Sequence, residues 1–133
     1  MCFSARALTL DWRILAATML GGGAGATCRM ALGQWVSQAW PSSFPLSTIM
    51  VNIIGCLALG LMSELISSHA SVLRILLLTG FLGGFTTFSA FSFDAMLLLQ
   101  QGKYLLGGAY IAGSILLCLG GVFAGHLLAR AFV

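Results

Sequence analysis

Four long apolar stretches take up almost the whole of this 133-residue chain. They cover approximately residues 14–36, 46–66, 73–99 and 104–129. A helix needs about 20 mostly apolar residues to cross a bilayer, so each stretch is long enough to be a transmembrane helix. The sequence therefore predicts an all-α membrane protein with a single four-helix transmembrane domain over residues 1–133. Short connections between the stretches predict that neighbouring helices run antiparallel.

The composition fits a membrane environment and argues against several soluble functions. Hydrophobic residues make up 59% of the chain and charged residues 7%, which excludes an ordinary soluble globule. The net charge of +3 comes from six scattered basic residues, so the chain has no basic patch for a nucleic acid. The four cysteines are far apart and form no C-x-x-C motif. The sequence thus indicates neither a zinc site nor a disulfide framework.

Glycines recur at helical spacing in three of the predicted helices. Each pair is four residues apart, which places two missing side chains on one face and lets a neighbouring backbone approach closely. The pairs are Gly21 with Gly25, Gly80 with Gly84, and Gly121 with Gly125. We expect tight helix packing within a protomer and also between protomers, because four helices alone hardly enclose an aqueous path.

The third stretch contains the segment GFLGGFTTFSAFSFD, Gly80 to Asp94, which is unusually rich in glycine and hydroxyl groups for a membrane helix. Clustered glycines are poor helix formers, so one interpretation is a local break. The carbonyls released between Gly83 and Thr86 would then suit a small cation, and the half-helix that follows would present its positive end to an anion. The other interpretation is a glycine-rich packing notch.

Polar side chains inside a bilayer are costly and usually face protein or water. In the second stretch, Asn52 lies one turn after Thr48 and offers two donors for an anion, or an interhelical hydrogen bond. In the third, Phe88 and Phe91 are three residues apart, with Ser89 between them. The edge of a phenyl ring is electropositive, so these rings either favour an anion or only fill the core.

Three further features complete the set of candidate residues. Arg29 follows the glycine-rich part of the first stretch, where it either anchors a loop or attracts anions. Asp94 is an acidic residue directly after the phenylalanine motif, and we expect it to pair with a basic residue or cap a helix. In the fourth stretch, Tyr110, Ser114 and Cys118 recur every four residues and form one polar or polarizable face.

Together these segments carry a recognisable pattern. GGGAGATCR in the first stretch, STIMVNIIG in the second, GFLGGFTTFSAFS in the third and LLLQQGKY after it resemble the Fluc-type bacterial fluoride channels. The similarity covers nearly all of the chain beyond the first dozen residues. The motif of the third stretch is specific, whereas the glycine spacings alone are not.

The resemblance implies a broken third helix and an antiparallel homodimer of dual topology that holds two fluoride pores. It also implies a structural sodium ion at the dimer interface, bound by the backbone carbonyls of Gly83 and Thr86. Arg29 matches the arginine at the end of the family's first helix. The candidate fluoride pore, to which we add two polar neighbours of the matched positions, consists of Asn52, Phe88, Ser89, Phe91, Tyr110 and Ser114.

The chain departs from the family pattern at three positions. Ala90 replaces a frequent threonine, Cys118 replaces a threonine of the fourth helix, and Asp94 stands where glutamate is common. These changes affect the expected polar track more than the fold.

The function implied by the resemblance is passive fluoride efflux across the bacterial cytoplasmic membrane, with lipid around a multi-pass homodimer. A proton-coupled exporter of the small multidrug-resistance type has a similar size, but it needs an acidic residue in the first helix, and 14–36 contains none. A third alternative is a non-conducting assembly subunit. Enzymatic activity is not expected, because no nucleophile and base lie at matching depths.

Overall fold

The computed structural model describes residues 11–66 and 71–132, and both ranges are helical, without strands. The prediction of an all-α protein is confirmed. The helices are α1 (Trp12–Ala39), α2 (Leu46–Leu65), α3 (Ser71–Arg74, π-helical Ile75–Leu82 and Gly83–Phe85), α4 (Phe88–Gln100) and α5 (Tyr104–Phe132).

Three of the apolar segments within the described ranges are long and apolar enough to cross a membrane: Leu46–Leu65, Val72–Gln100 and Tyr104–Phe132. The chain is therefore a multi-pass membrane protein. Most of their surface lies outside the packed interior of the protomer, since only 11% of the most apolar window of α5 is buried. Apolar side chains on these outer faces are expected to contact lipid or another protein chain rather than water.

The connection between α4 and α5 is a tight reversal. Gly102 has a positive φ of 73°, which glycine adopts at little cost. Its N–H donates to the Leu99 carbonyl at 3.0 Å, and the N–H of Lys103 donates to the Leu98 carbonyl at 3.1 Å. These two bonds satisfy carbonyls that the end of a helix leaves unpaired. Helix α5 consequently starts beside the end of α4 and packs against it.

The backbone leaves the helical conformation at two residues between α3 and α4. Thr86 (φ −77°, ψ 155°) and Thr87 (φ −149°, ψ 116°) are extended. The glycine cluster predicts an interruption slightly earlier, but Gly83 has helical dihedrals (φ −64°, ψ −36°) and Gly84 lies inside the helical piece Gly83–Phe85. Gly84 serves close packing instead, because a Cβ there would overlap the carbonyl of Gly22 on α1.

Helix α1 packs along α3 through glycines. A Cβ added to Gly21 would overlap the carbonyl oxygen of Leu76, and one added to Gly25 would overlap that of Phe81. The π-helical piece therefore presents its carbonyls directly to the backbone of α1. The expected close approach at the first two glycine pairs is present within the protomer.

Helix α2 packs along α5 in the same manner. A Cβ on Gly125 would overlap the Leu57 carbonyl, and one on Gly60 would overlap the Val122 carbonyl. We call this contact between the two backbones the α2–α5 seam. It fixes how far apart the two helices lie.

We expect Gly25→Ala to destabilise the protein by about 1–3 kcal/mol, because the new methyl group has to displace backbone rather than a flexible side chain. Gly23→Ala is the matched control, since a Cβ at that position of α1 meets nothing within 4 Å. The control should raise stability by up to about 1 kcal/mol through better helix propensity. Thermal unfolding of both variants in detergent measures the difference, and equal stability would contradict the backbone contact.

A small aromatic core joins α4 to α5. Phe91, Ala95 and Leu98 of α4 are buried together with Tyr110 of α5. Phe91 and Tyr110 stack with their ring centroids 5.3 Å apart, and Phe44 meets the Tyr110 ring edge-on at 5.7 Å. This core holds α4 at a fixed distance from α5 beside the extended residues.

Candidate functional site

A groove of about 230 Å³ lies between α2, α4 and α5, next to the extended residues. We call it the phenylalanine groove. None of the side chains that line it is charged. They are Asn52, Cys56, Thr86, Thr87, Phe88, Phe91, Ser114, Ile115 and Cys118.

Asn52 joins α2 to the start of α4. Its Nδ2 donates to the Thr87 carbonyl oxygen at 3.1 Å, and its Oδ1 accepts from the Thr87 N–H at 2.8 Å. In a continuous helix that N–H would donate to the Gly83 carbonyl, so the pairing also releases the Gly83 carbonyl. An interhelical hydrogen bond is thus present. In the part of the chain that the structure describes, the second Nδ2 hydrogen has no acceptor.

Ser114 brings a hydroxyl without a partner into the groove. The residue is 5% exposed, and its Oγ makes no hydrogen bond to any described residue. A buried hydroxyl left unpaired costs about 1–3 kcal/mol. Such a group indicates a place where a water molecule or a polar ligand binds.

The two phenylalanines of the groove differ in their surroundings. Phe91 is 8% exposed and belongs to the aromatic core, whereas Phe88 is 78% exposed. Their ring centroids are 5.3 Å apart with the planes tilted by 41°. Phe91 therefore belongs to the packed core beside the groove. The ring of Phe88 is left largely uncovered by the rest of the protomer.

Asp94 lies behind Phe91, outside the phenylalanine groove. Its Oδ2 accepts hydrogen bonds from Thr48 Oγ1 at 2.6 Å and from the Tyr110 hydroxyl at 3.4 Å. No basic side chain within the described ranges lies at salt-bridge distance from it. The expected pairing with a basic residue is thus replaced by two hydroxyl donors. Tyr110, fully buried, contacts Asp94 and Phe91 and does not line the groove.

Ser89 and Arg29 lie outside the phenylalanine groove. Ser89 is exposed and is hydrogen-bonded to Thr87 Oγ1 at 3.1 Å. Arg29 lines a separate groove of about 500 Å³, together with Thr48, Thr87 and Ala90. We call it the arginine groove. Within one protomer, the structure does not bring Arg29 or Ser89 together with Asn52, Phe88, Phe91 and Ser114.

Comparisons with known proteins identify the family. The family described as CrcB-like protein, camphor resistance (CrcB), matches residues 16–126. The chain is 48% identical over 117 residues to the fluoride-specific ion channel FluC of Rhizobium etli, covering 86% of this chain and 94% of that one.

Similar matches come from other bacteria. The protein of the same name from Stutzerimonas stutzeri is 42% identical over 121 residues, covering 89% and 98% of the two chains. That from a Roseiflexus species is 40% identical over 117 residues, covering 86% and 94%. The chain belongs to the CrcB-like family. The resemblance to Fluc-type channels inferred from the motifs is confirmed.

The three departures from the family pattern fall in different places of this CrcB-like protein, and Asp94 lines neither groove. Cys118 lines the phenylalanine groove, whereas Ala90 lines the arginine groove. The change at Cys118 therefore alters the wall beside Ser114. The change at Ala90 lies outside the phenylalanine groove, where the Ala90 N–H donates to Thr87 Oγ1 at 3.2 Å and caps α4.

Sequence reasoning missed two residues of the site. Thr87 holds Asn52 through its backbone and caps α4 through its hydroxyl. A threonine before a helical segment is a helix-start signal, and this could have singled it out. Cys56 also lines the groove. Its distance from Cys118 in sequence gives no sign that the two meet.

Proposed function

We propose that this chain is a fluoride-selective channel that lets fluoride leave a bacterial cell passively across its cytoplasmic membrane and so relieves fluoride toxicity. The relatives named fluoride-specific ion channel support this, because this chain covers more than 90% of the length of each of the three. Such a protein is a transporter and not an enzyme.

The observation that carries the proposal is the chemistry of the phenylalanine groove. It offers the unpartnered hydroxyl of Ser114, an amide hydrogen of Asn52 and two phenyl rings, and no charged side chain. Hydroxyl, amide and ring-edge groups replace part of the hydration shell of an anion. Conduction needs binding that is strong enough for entry and weak enough for exit, which favours such neutral groups.

We further propose that two antiparallel copies complete the conducting path, with dual topology in the membrane and lipid around the outer faces. Phe88 is largely exposed although it lines the groove. A second chain on that side would close the groove. It would also bring other candidates, such as Ser89 or Arg29 of the second copy, closer to the path.

A structural sodium ion at the dimer interface is the third part of the proposal. Among the described residues, no three His, Cys, Asp or Glu side chains lie close enough together to hold a metal ion. A cation at the interface would therefore depend on backbone oxygens. The carbonyls of Gly83 and Thr86 fit this role, because Gly83 is exposed, has open space around it and has lost its helical donor. Neutral hard oxygens suit a monovalent alkali cation. When bound, sodium would neutralise the carbonyl dipoles that the extended residues expose.

The test of the function is anion efflux from liposomes that contain the purified protein. A fluoride electrode should record rapid fluoride loss, and a chloride electrode little chloride loss under the same gradient. Equal loss of both ions would exclude selectivity. An absence of fluoride loss from folded dimers would support the alternative of a non-conducting assembly subunit.

Ser114→Ala separates conduction from stability. Because the hydroxyl has no protein partner, its removal should leave thermal stability unchanged or raise it by about 1–3 kcal/mol. Fluoride efflux should fall, since the path loses a donor. A variant with unchanged fluoride efflux would remove Ser114 from the path.

Replacing sodium tests the cation site separately. Reconstitution with N-methylglucamine in place of sodium, at the same ionic strength, should reduce both the yield of dimers and the fluoride flux. Adding sodium back should restore them. Identical dimer yield and flux in the two buffers would argue against the ion.

A further inference from the structure

Two cysteines from different helices meet in the wall of the phenylalanine groove. Cys56 on α2 and Cys118 on α5 both line it, and both are half-buried free thiols. Both side chains therefore border the same space of about 230 Å³. Across the same interface, a Cβ on Gly121 would lie 3.6 Å from the Cβ of Cys56. The backbones at this point are close enough for both thiols to reach one ligand.

Each thiol stands one helical turn from a polar residue of the groove, Cys56 after Asn52 and Cys118 after Ser114. Residues four apart share a helix face, so four polar or polarizable groups surround one space. One of them, Ser114, is buried with its Oγ unpartnered among the described residues. This hydroxyl indicates independently that the space accepts a ligand, and it is a potential donor to a thiolate sulfur.

We propose that Cys56 and Cys118 form a binding site for a soft metal ion that takes two thiolate ligands, and that an ion bound there closes the groove. Soft thiolates select soft metals, and the thiolate is the binding form. With Hg²⁺, both S–H bonds break, the two protons pass to water, and each sulfur donates an electron pair to the metal. Two thiolates and one divalent ion are neutral together, so no net charge is buried.

The number of ligands determines the kind of metal. A structural zinc site usually has four protein ligands in a tetrahedron. Among the described residues, no three His, Cys, Asp or Glu side chains lie close enough together to hold a metal ion. A pair of thiols instead suits ions that accept two sulfur ligands. Hg²⁺ is the probe, because its complex with two thiolates carries no charge.

Metal retention tests the site without any use of ion flux. In the variant C2A/C28A, only Cys56 and Cys118 remain. After exposure to HgCl₂ and washing with excess glutathione, a monothiol, native mass spectrometry should find one mercury per chain. Adding C56S or C118S should abolish retention. The matched control, C2A/C56S/C118S, keeps only the exposed Cys28 of α1 and should retain none. Failure of C2A/C28A to retain mercury would overturn the proposal.

The closure of the groove rests on the proposed channel function and has its own readout. Fluoride efflux through C2A/C28A should be lost on addition of HgCl₂ and restored by dithiothreitol, while the efflux of the control variant, whatever its rate without mercury, should not change when HgCl₂ is added. Retained mercury with unchanged efflux would overturn the closure. If C2A/C28A shows no efflux even without mercury although it retains the metal, the proposed channel function fails and the metal site stands.

Discussion

Replacing Asn52 by aspartate is expected to reduce fluoride efflux on the order of a thousandfold. An ionised carboxylate at this position would repel an anion about 4 Å away by roughly 4 kcal/mol at an effective dielectric constant of about 20, and each 1.36 kcal/mol is a factor of about ten in rate. The side chain would also lose the Nδ2 donor that now bonds the Thr87 carbonyl at 3.1 Å. The measurement is initial fluoride efflux from liposomes at matched protein density.

Gln34→Glu is the matched control for Asn52→Asp. It makes the same amide-to-carboxylate change at an exposed position of α1 that lines neither groove. Its efflux should equal that of the unmodified protein. If Asn52→Asp conducts as fast as Gln34→Glu, Asn52 only fastens α2 to α4 and has no contact with the anion.

The second large effect is expected for Phe88→Ile, which should reduce fluoride efflux by about two- to tenfold, because a ring-edge interaction is worth about 0.5–1.5 kcal/mol. Stability should change little, since Phe88 is largely exposed and gives the protomer little buried area. Efflux and thermal unfolding, measured on the same preparation, separate the two quantities.

The control for Phe88→Ile is Phe123→Ile, an equally conservative change at a residue of α5 that is 66% exposed and lines neither groove. Dimer yield has to be measured for both variants, since Phe88 also lies on the side where a second chain is proposed. Normal efflux in Phe88→Ile would restrict the role of the ring to packing.

The parts of the fold that rest on local patterns could be predicted from the sequence. Long apolar stretches predicted helices, and the helices are present. Glycines four residues apart predicted close backbone approach, which occurs at Gly21, Gly25 and Gly125. The cluster of glycines before Thr86 also pointed to an irregular segment. The extended residues, Thr86 and Thr87, directly follow that cluster, whereas Gly83 retains helical dihedrals and Gly80 and Gly84 contact α1.

The parts that rest on distant partners could not be predicted in this way. The bond between Asn52 and Thr87 joins residues 35 positions apart, and no helical periodicity links them. The same holds for Tyr110, whose position on a polar face suggested the path, although its hydroxyl points to Asp94. A periodic pattern identifies the face of a helix, but the packing of the other helices decides what that face meets.

The α2–α5 seam has a mechanical consequence. At Gly60 and Gly125 the backbones of α2 and α5 are in direct contact, with carbonyl oxygens in the space that a side chain would otherwise fill. Because such a contact is closely packed, we expect neither helix to slide along the other without the two first separating. Helix α4 is attached to α2 by the hydrogen bonds between Asn52 and Thr87 and to α5 by the aromatic core. Its only backbone link to α3 is the pair of extended residues, Thr86 and Thr87. A change in groove width therefore has to disrupt the aromatic core or the Asn52–Thr87 bonds, so the three walls of the groove are held together although the backbone before α4 is not helical.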